Sequence, residues 1–389
     1  MDATRGFPFR GTKGWAWTSE QYLEEIPWLA RMGLNVLMNC YISVCDVEHY
    51  PWGDPRANRW WEPLPEEKAR AFEAIVAAAR AAGLDFWFAM NPGLFTLRAP
   101  DPTDPADVEA LASHYLRFQR AGVRTFALCF DDLAAGVDAV RHAALANALL
   151  DRLRRHDADA RLVVCPSWFW GDGRDPAARA YLELLGRRLD PEALVFWTGD
   201  AVVTPRVTRR AAESFRAIVG HRLVLWDNYP VNDDHPTMHL GPLVGRDPDL
   251  PAVVDAYLSN PMCRQSRLNR LPLWTCADYA RDPASYDPEA SIRAAIERIA
   301  ETAEERSLLG ELVATYPGML RYAESQYFNP VRARIEERLR AGDRVGAAAT
   351  LERLAELTER FAGLLGSRFP AELETLRGDV AWARAALGA

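Results

Sequence analysis

Two aspartates, Asp131 and Asp132, stand side by side directly after the apolar run 125–130. Like charges held this close cannot both ionise freely, so one carboxyl is expected to keep its proton toward neutral pH, as a general acid requires. Consecutive carboxylates on one strand do not easily flank a glycosidic bond. The usual retaining pair stands ~5–5.5 Å apart on its two sides. Adjacent acids suit another division of labour. One serves the leaving group, and the other steadies a nucleophile carried by the substrate, such as the carbonyl oxygen of a 2-acetamido sugar.

Other polar and aromatic residues follow further apolar runs. They are Arg10 to Trp15, Asn91-Pro92-Gly93, Cys165 to Gly171 with Trp168, Phe169 and Trp170, Trp197 to Asp200, and Trp226 to Asp233. Aromatic rings against sugar C–H faces, with carboxylates and amides for the hydroxyls, make a natural saccharide pocket. For any single residue, helix capping or pairing with arginine explains the position equally well. For six run ends together that explanation is poor.

The runs themselves imply the frame. Residues 33–38, 84–90, 124–130, 162–165, 194–197 and 223–226 are mainly apolar without alternation, as strands buried on both faces are. Between them, 66–82, 107–121 and 137–155 carry helical spacing. With an opening strand at 7–14 and a last one at 271–277, eight βα units result. The expected fold is α/β, a TIM (β/α)8 barrel over residues 1–290, whose active site lies at the C-terminal ends of the strands. A C-terminal α-helical bundle is expected over 291–389, with helices at 291–315, 319–340, 345–365 and 371–387. Its amphipathic stripes serve a core or a homodimer interface.

Composition narrows the function classes. The 389 residues carry 46 basic and 54 acidic side chains, a net charge of −8 that disfavours nucleic acid and polyanionic sugars as partners. No long uncharged apolar run or leader-like start is present, so a cytoplasmic protein without membrane contact is expected. The six cysteines lack Cys-x-x-Cys spacing and read as buried free thiols. Pro236 separates His235 from His239, so these do not form a helical metal pair. No metal or organic cofactor is expected.

Several segments together resemble the O-GlcNAcases of glycoside hydrolase family 84, which are β-N-acetylglucosaminidases or hyaluronidase-like enzymes. These are Asn91 to Leu94, Thr125 to Asp132, Cys165-Pro166-Ser167, Phe196 to Gly199, Trp226 to Asp233, Leu240 to Leu243 and Asn260-Pro261-Met262. The resemblance spans roughly residues 6–285. It implies that Asp131 orients the substrate's acetamide and that Asp132 is acid and then base. It also implies that Asn228 serves the acetamide side and the leaving-group region. Asp233, Asn260 and Gly11 would hold sugar hydroxyls, and Cys165, Thr198 and Trp226 would line the acetamide pocket.

The sequence departs from that family in places. Arg10-Gly11-Thr12-Lys13-Gly14 replaces Glu-Gly-Phe-Tyr-Gly. Cys40 to Val44 replaces Ala-Pro-Lys-Asp-Asp, so the family's lysine gives way to Ile42. Phe169 replaces a tyrosine that supports the cyclic intermediate, and it cannot donate a hydrogen bond. Phe95 and Asp234 replace an acid and a tyrosine. Lys13 is expected to restore the missing ammonium, with Asp46, Glu48 and His49 as candidates to rebuild the neighbouring loop. Trp60-Trp61-Glu62-Pro63 is expected to brace that loop. Two further readings stay open. One keeps the barrel and carboxylates but takes a different sugar or a small GlcNAc-containing metabolite. The other is a catalytically degenerate carbohydrate-binding protein.

Overall fold

A computed structural model describes residues 6–44, 54, 56–133, 135–233, 235–265, 267–321 and 325–388. Cys45, Asp46, Glu48, His49 and Asp234 lie outside the described residues. Eight parallel strands close into a barrel in sequence order: β1 (Phe9–Gly14), β2 (Val36–Asn39), β3 (Asp85–Met90), β4 (Thr125–Cys129), β5 (Arg161–Cys165), β6 (Leu194–Trp197), β7 (Arg222–Pro230) and β8 (Val254–Asn260). β8 returns to pair with β1. This is the expected barrel. Its strands are buried because side chains fill the inside and helices cover the outside.

After β1 to β6 come α1 (Ser19–Arg31), α2 (Glu66–Ala81), α3 (Pro105–Arg120), α4 (Ala139–Arg154), α5 (Pro176–Arg188) and α6 (Arg209–Val219); α7 (Arg270–Arg281) follows β8. Thr18, Asp104, Asp138, Asp175 and Thr208 start five of them by accepting first-turn backbone N–H groups.

The eighth strand is not where the sequence reading put it. Residues 271–277 lie in α7, and β8 is the earlier Val254–Asn260. An apolar run buried on every side looks the same in a strand and in an enclosed helix, and every residue from Leu271 to Ala277 is buried. The β7–β8 connection also breaks the alternation on which the count relied. Among its described residues the only helical piece is a short 3-10 turn at Leu250–Ala252.

Past α7 come α8 (Pro288–Ile299), α9 (Ala303–Thr315), α10 (Pro330–Arg340), α11 (Arg344–Leu364) and α12 (Pro370–Leu387). The helix expected over 291–315 is therefore two, because Thr302 caps a new start by accepting from Glu305 N–H. That expected over 319–340 is a 3-10 turn at Met319–Arg321 and then α10, which Asn329 caps. α12 turns a polar face inward at Glu372, Thr375 and Asp379, spaced so that they share one side of a helix. Glu372 accepts from Leu268 N–H at 2.9 Å, and Thr375 accepts from Gln265 Nε2 at 2.8 Å. Asp379 receives Tyr316 Oη at 2.8 Å and Arg332 Nε at 2.7 Å. This face therefore grips the loop after β8 and the chain leading into α10.

Cys40, Cys129, Cys165, Cys263 and Cys276 are buried free thiols. Among the described residues no helix is long and apolar enough to cross a membrane.

Candidate active site

The C-terminal ends of the strands surround a cleft whose lining mixes carboxylates, amides and aromatic rings, as small-molecule sites do. Lys13, Asp131, Asp132, Cys165, Phe169, Trp226, Asn228, Asp233 and Asn260 line it.

The adjacent aspartates share this cleft because they lie just beyond β4, in a turn. Within a strand, consecutive side chains would point to opposite faces. Here Asp132 adopts a left-handed backbone, φ 57°, which redirects the chain. The two carboxyls have different surroundings. Asp131 is buried; its Oδ2 accepts from Tyr41 Oη at 2.6 Å and its Oδ1 from Asn91 Nδ2 at 3.1 Å. Burial raises its pKa, while Lys13 and these donors oppose the rise. Asp132 keeps a solvent-open face at the mouth. Even so, the walls around its carboxyl, and after them the charge of Asp131, push its pKa up to about 7 against the pull of Lys13. Because the two interact, their protons leave in steps that belong to the pair.

Strand alternation places the β7 residues. Trp226 and Asn228 face the cleft, whereas Asp227 faces the helix layer and forms a buried pair with Arg246, Oδ2 to Nε 2.9 Å. Asn228 donates to the Val202 carbonyl at 2.6 Å and accepts from Asn260 Nδ2 at 2.9 Å. Asp233 also has a left-handed backbone, φ 44°, and its Oδ2 accepts from Gln326 Nε2 at 2.9 Å. Burial raises the Asp233 pKa, opposed by Gln326, Lys13 and Tyr327.

Lys13 is only 1% exposed, and its ammonium sits over Trp226 at 3.7 Å, Trp15 at 4.1 Å and Tyr41 at 4.9 Å from the ring centroids. Three aromatic faces thus partly replace its lost water. No carboxylate among the described residues lies within 4.0 Å of it, the limit for an ion pair. Ile42 is buried and does not line the cleft.

Gly11, expected to hold a sugar hydroxyl, and Thr198, expected in the acetamide pocket, are not among the lining residues. Gly11 lies two positions deeper along β1, where an added Cβ would come within 2.1 Å of the Val36 carbonyl oxygen. Thr198 spends its hydroxyl on the Ala201 carbonyl at 3.0 Å, and Val202 and Val203 form that wall instead. Of the Trp168-Phe169-Trp170 cluster only Phe169 lines the cleft; Trp168 packs on Tyr181. Trp60 is buried, with Nε1 donating to the Arg98 carbonyl at 2.8 Å.

Tyr41 and Gln326 line the cleft without having been singled out from the sequence, and Trp15, at the end of the first run, lines it as well. Tyr41 follows a buried strand, as Asn91 and Asp131 do, and that position was its available signal. Gln326 lies far along the chain and carried none.

Comparison with known proteins bears on this site. The sequence pattern described as beta-N-acetylglucosaminidase (NAGidase) matches residues 10–312. The Protein O-GlcNAcase of Rattus norvegicus is 28% identical over 266 residues, covering 65% of this chain and 27% of the relative. That of Mus musculus has the same identity and coverage. The matched stretch thus spans about a quarter of the length of these relatives. Among solved structures, a mutant Thermobaculum terrenum O-GlcNAc hydrolase superposes with a TM-score of 0.76 at 23% identity, covering 98% of this chain and 84% of that one. CpGH84B superposes with a TM-score of 0.73 at 23% identity, covering 98% and 68%. At such identity the likeness shows the shared fold.

Proposed function

Since the chain belongs to the beta-N-acetylglucosaminidase family, we propose that it is a retaining glycoside hydrolase that removes terminal β-linked N-acetylglucosamine with the help of the sugar's own acetamide. The observation that carries this reading is the unequal pair in one cleft. Asp131 has two donors, Tyr41 and Asn91, and Lys13 nearby to favour its charged form, while among the described residues Asp132 has Lys13 alone opposing a rise to about 7. The single proton of the half-ionised pair therefore rests on Asp132.

That proton is the one a leaving group needs. The acetamide carbonyl oxygen attacks the anomeric carbon as the bond to the leaving oxygen breaks, and Asp132 protonates that oxygen. Ionised Asp131 accepts the acetamide N–H and stabilises the positive charge of the cyclic oxazoline-type intermediate. Asp132, now a carboxylate, takes a proton from water. The water attacks the same carbon from the vacated face, the ring reopens, and configuration is retained. Tyr41 is a positioning residue here. Burial and the Asp131 charge raise its pKa well above the usual phenol value, so it remains a donor to Asp131.

The test is hydrolysis of an aryl N-acetyl-β-glucosaminide, with and without a thiazoline mimic of the cyclic intermediate. Turnover that the thiazoline blocks is expected. Turnover indifferent to it would remove the acetamide from the mechanism.

Lys13 contributes recognition. A buried ammonium that has no ion-pair partner among the described residues is costly unless something accepts its N–H groups. The surrounding acids disfavour an anionic ligand, leaving a neutral sugar oxygen as its acceptor. Lys13→Met keeps the stem on its aromatic faces and should raise KM ~10-fold or more, in line with a hydrogen bond to a charged group. Unchanged KM would end this assignment.

The caged ammonium and Phe169 also favour a second reading, the same chemistry on a differently substituted sugar. A panel of aryl glycosides, ranked by kcat/KM, separates the two.

A further inference from the structure

The barrel strands and their loops do not complete this cleft alone. Just before α10, Gln326, in the described stretch 325–329, forms part of the wall. The passage is fastened at several points. His239 Nε2 bonds to the Gln326 carbonyl at 2.9 Å, and Thr237 Oγ1 donates to the Phe328 carbonyl at 3.1 Å. Asn329 Nδ2 donates to both oxygens of the buried Asp379 carboxylate on α12, at 3.0 and 2.9 Å. The Gln326 backbone is therefore tied to the β7–β8 connection, and its neighbours are tied to the helices behind. From this mount its side-chain amide reaches Asp233 Oδ2 at 2.9 Å.

We propose that Gln326 is a positioning residue for substrate recognition. It holds the Asp233 carboxylate, at the end of a left-handed turn, in the orientation that accepts a hydroxyl of the bound pyranose. A carboxylate offers about four lone-pair sites. The amide takes one, fixes the plane of the group and favours its charged form, leaving acceptor capacity for the sugar. The helices beyond the barrel thereby become part of the specificity apparatus. This inference rests on the sugar-binding reading above.

Calorimetric binding of a thiazoline mimic of N-acetylglucosamine, with kcat and KM on an aryl glycoside, tests it. Gln326→Ala should weaken thiazoline binding ~10-fold, the scale of one hydrogen bond to a charged group, and raise KM similarly, with kcat within about threefold. The double variant Asp233→Ala/Gln326→Ala should bind no more weakly than Asp233→Ala alone, since the amide acts through that carboxylate. Gln326→Glu keeps the shape but sets two acids together. It should bind poorly at pH 8 and regain affinity near pH 5, where one proton bridges the pair. Additive losses, or unchanged affinity in Gln326→Ala, would overturn the inference alone. A wild-type protein that neither binds the thiazoline nor turns over would overturn the hydrolase reading and this inference with it.

Discussion

Asp132→Ala is expected to lower kcat/KM by ~10²–10⁴-fold on substrates with poor leaving groups, the usual range for losing a general acid. Substrates whose phenolate leaves without a proton should be hit much less in their first step. The wild-type pH profile should carry the same signature. Asp132 must be protonated to donate, and its pKa is pushed up to about 7. Thus kcat/KM should hold on the acid side of that value and fall as pH rises through it. In Asp132→Ala this basic limb should vanish. A series of aryl glycosides graded by leaving-group acidity, measured across pH, reads both effects. Equal losses across the series, or a limb that survives the substitution, would rule out Asp132 as the acid.

The second large effect belongs to Asp131. Asp131→Asn nearly preserves shape and can still accept from Tyr41, but it removes the charge that faces the acetamide. Ring closure accompanies departure of every leaving group, so activated substrates should suffer as well as poor ones. We expect ~10²–10³-fold, comparable to deleting one donor aimed at a developing charge. A second consequence follows from the coupling. The Asp131 charge helps raise the Asp132 pKa, so its removal should move the basic limb to lower pH. Activity within about threefold of wild type, or a limb that stays in place, would sink the assignment.

The sequence showed the parts of this site that follow buried strands in chain order. Asp131, Asp132, Trp226, Asn228, Asp233 and Asn260 stand where apolar runs give way to polar residues, and they meet in one cleft. What it hid has identifiable physical causes. β8 was missed because burial on all sides erases the difference between strand and helix periodicity. Gly11, expected to hold a sugar hydroxyl, lies deeper along β1, and Thr198, expected in the acetamide pocket, spends its hydroxyl on a carbonyl. The apparent conflict of two consecutive carboxylates serving one face disappears with the left-handed turn at Asp132, which residue type alone does not announce. Tyr41 follows β2 as Asn91 and Asp131 follow their strands, but its ring and hydroxyl were not weighed. Gln326 could not be seen because only tertiary packing brings it to Asp233.

That left-handed geometry has a further meaning. Asp132 and Asp233 are two of the four described non-glycine residues with positive φ, a conformation that costs of order 1 kcal/mol in a side-chain-bearing residue. Glycine would relax both corners, so the most comfortable chain at these positions is one without acids. Selection for robustness and selection for turnover pull in opposite directions at just these corners. A search for hardier variants would drift toward inert ones there first.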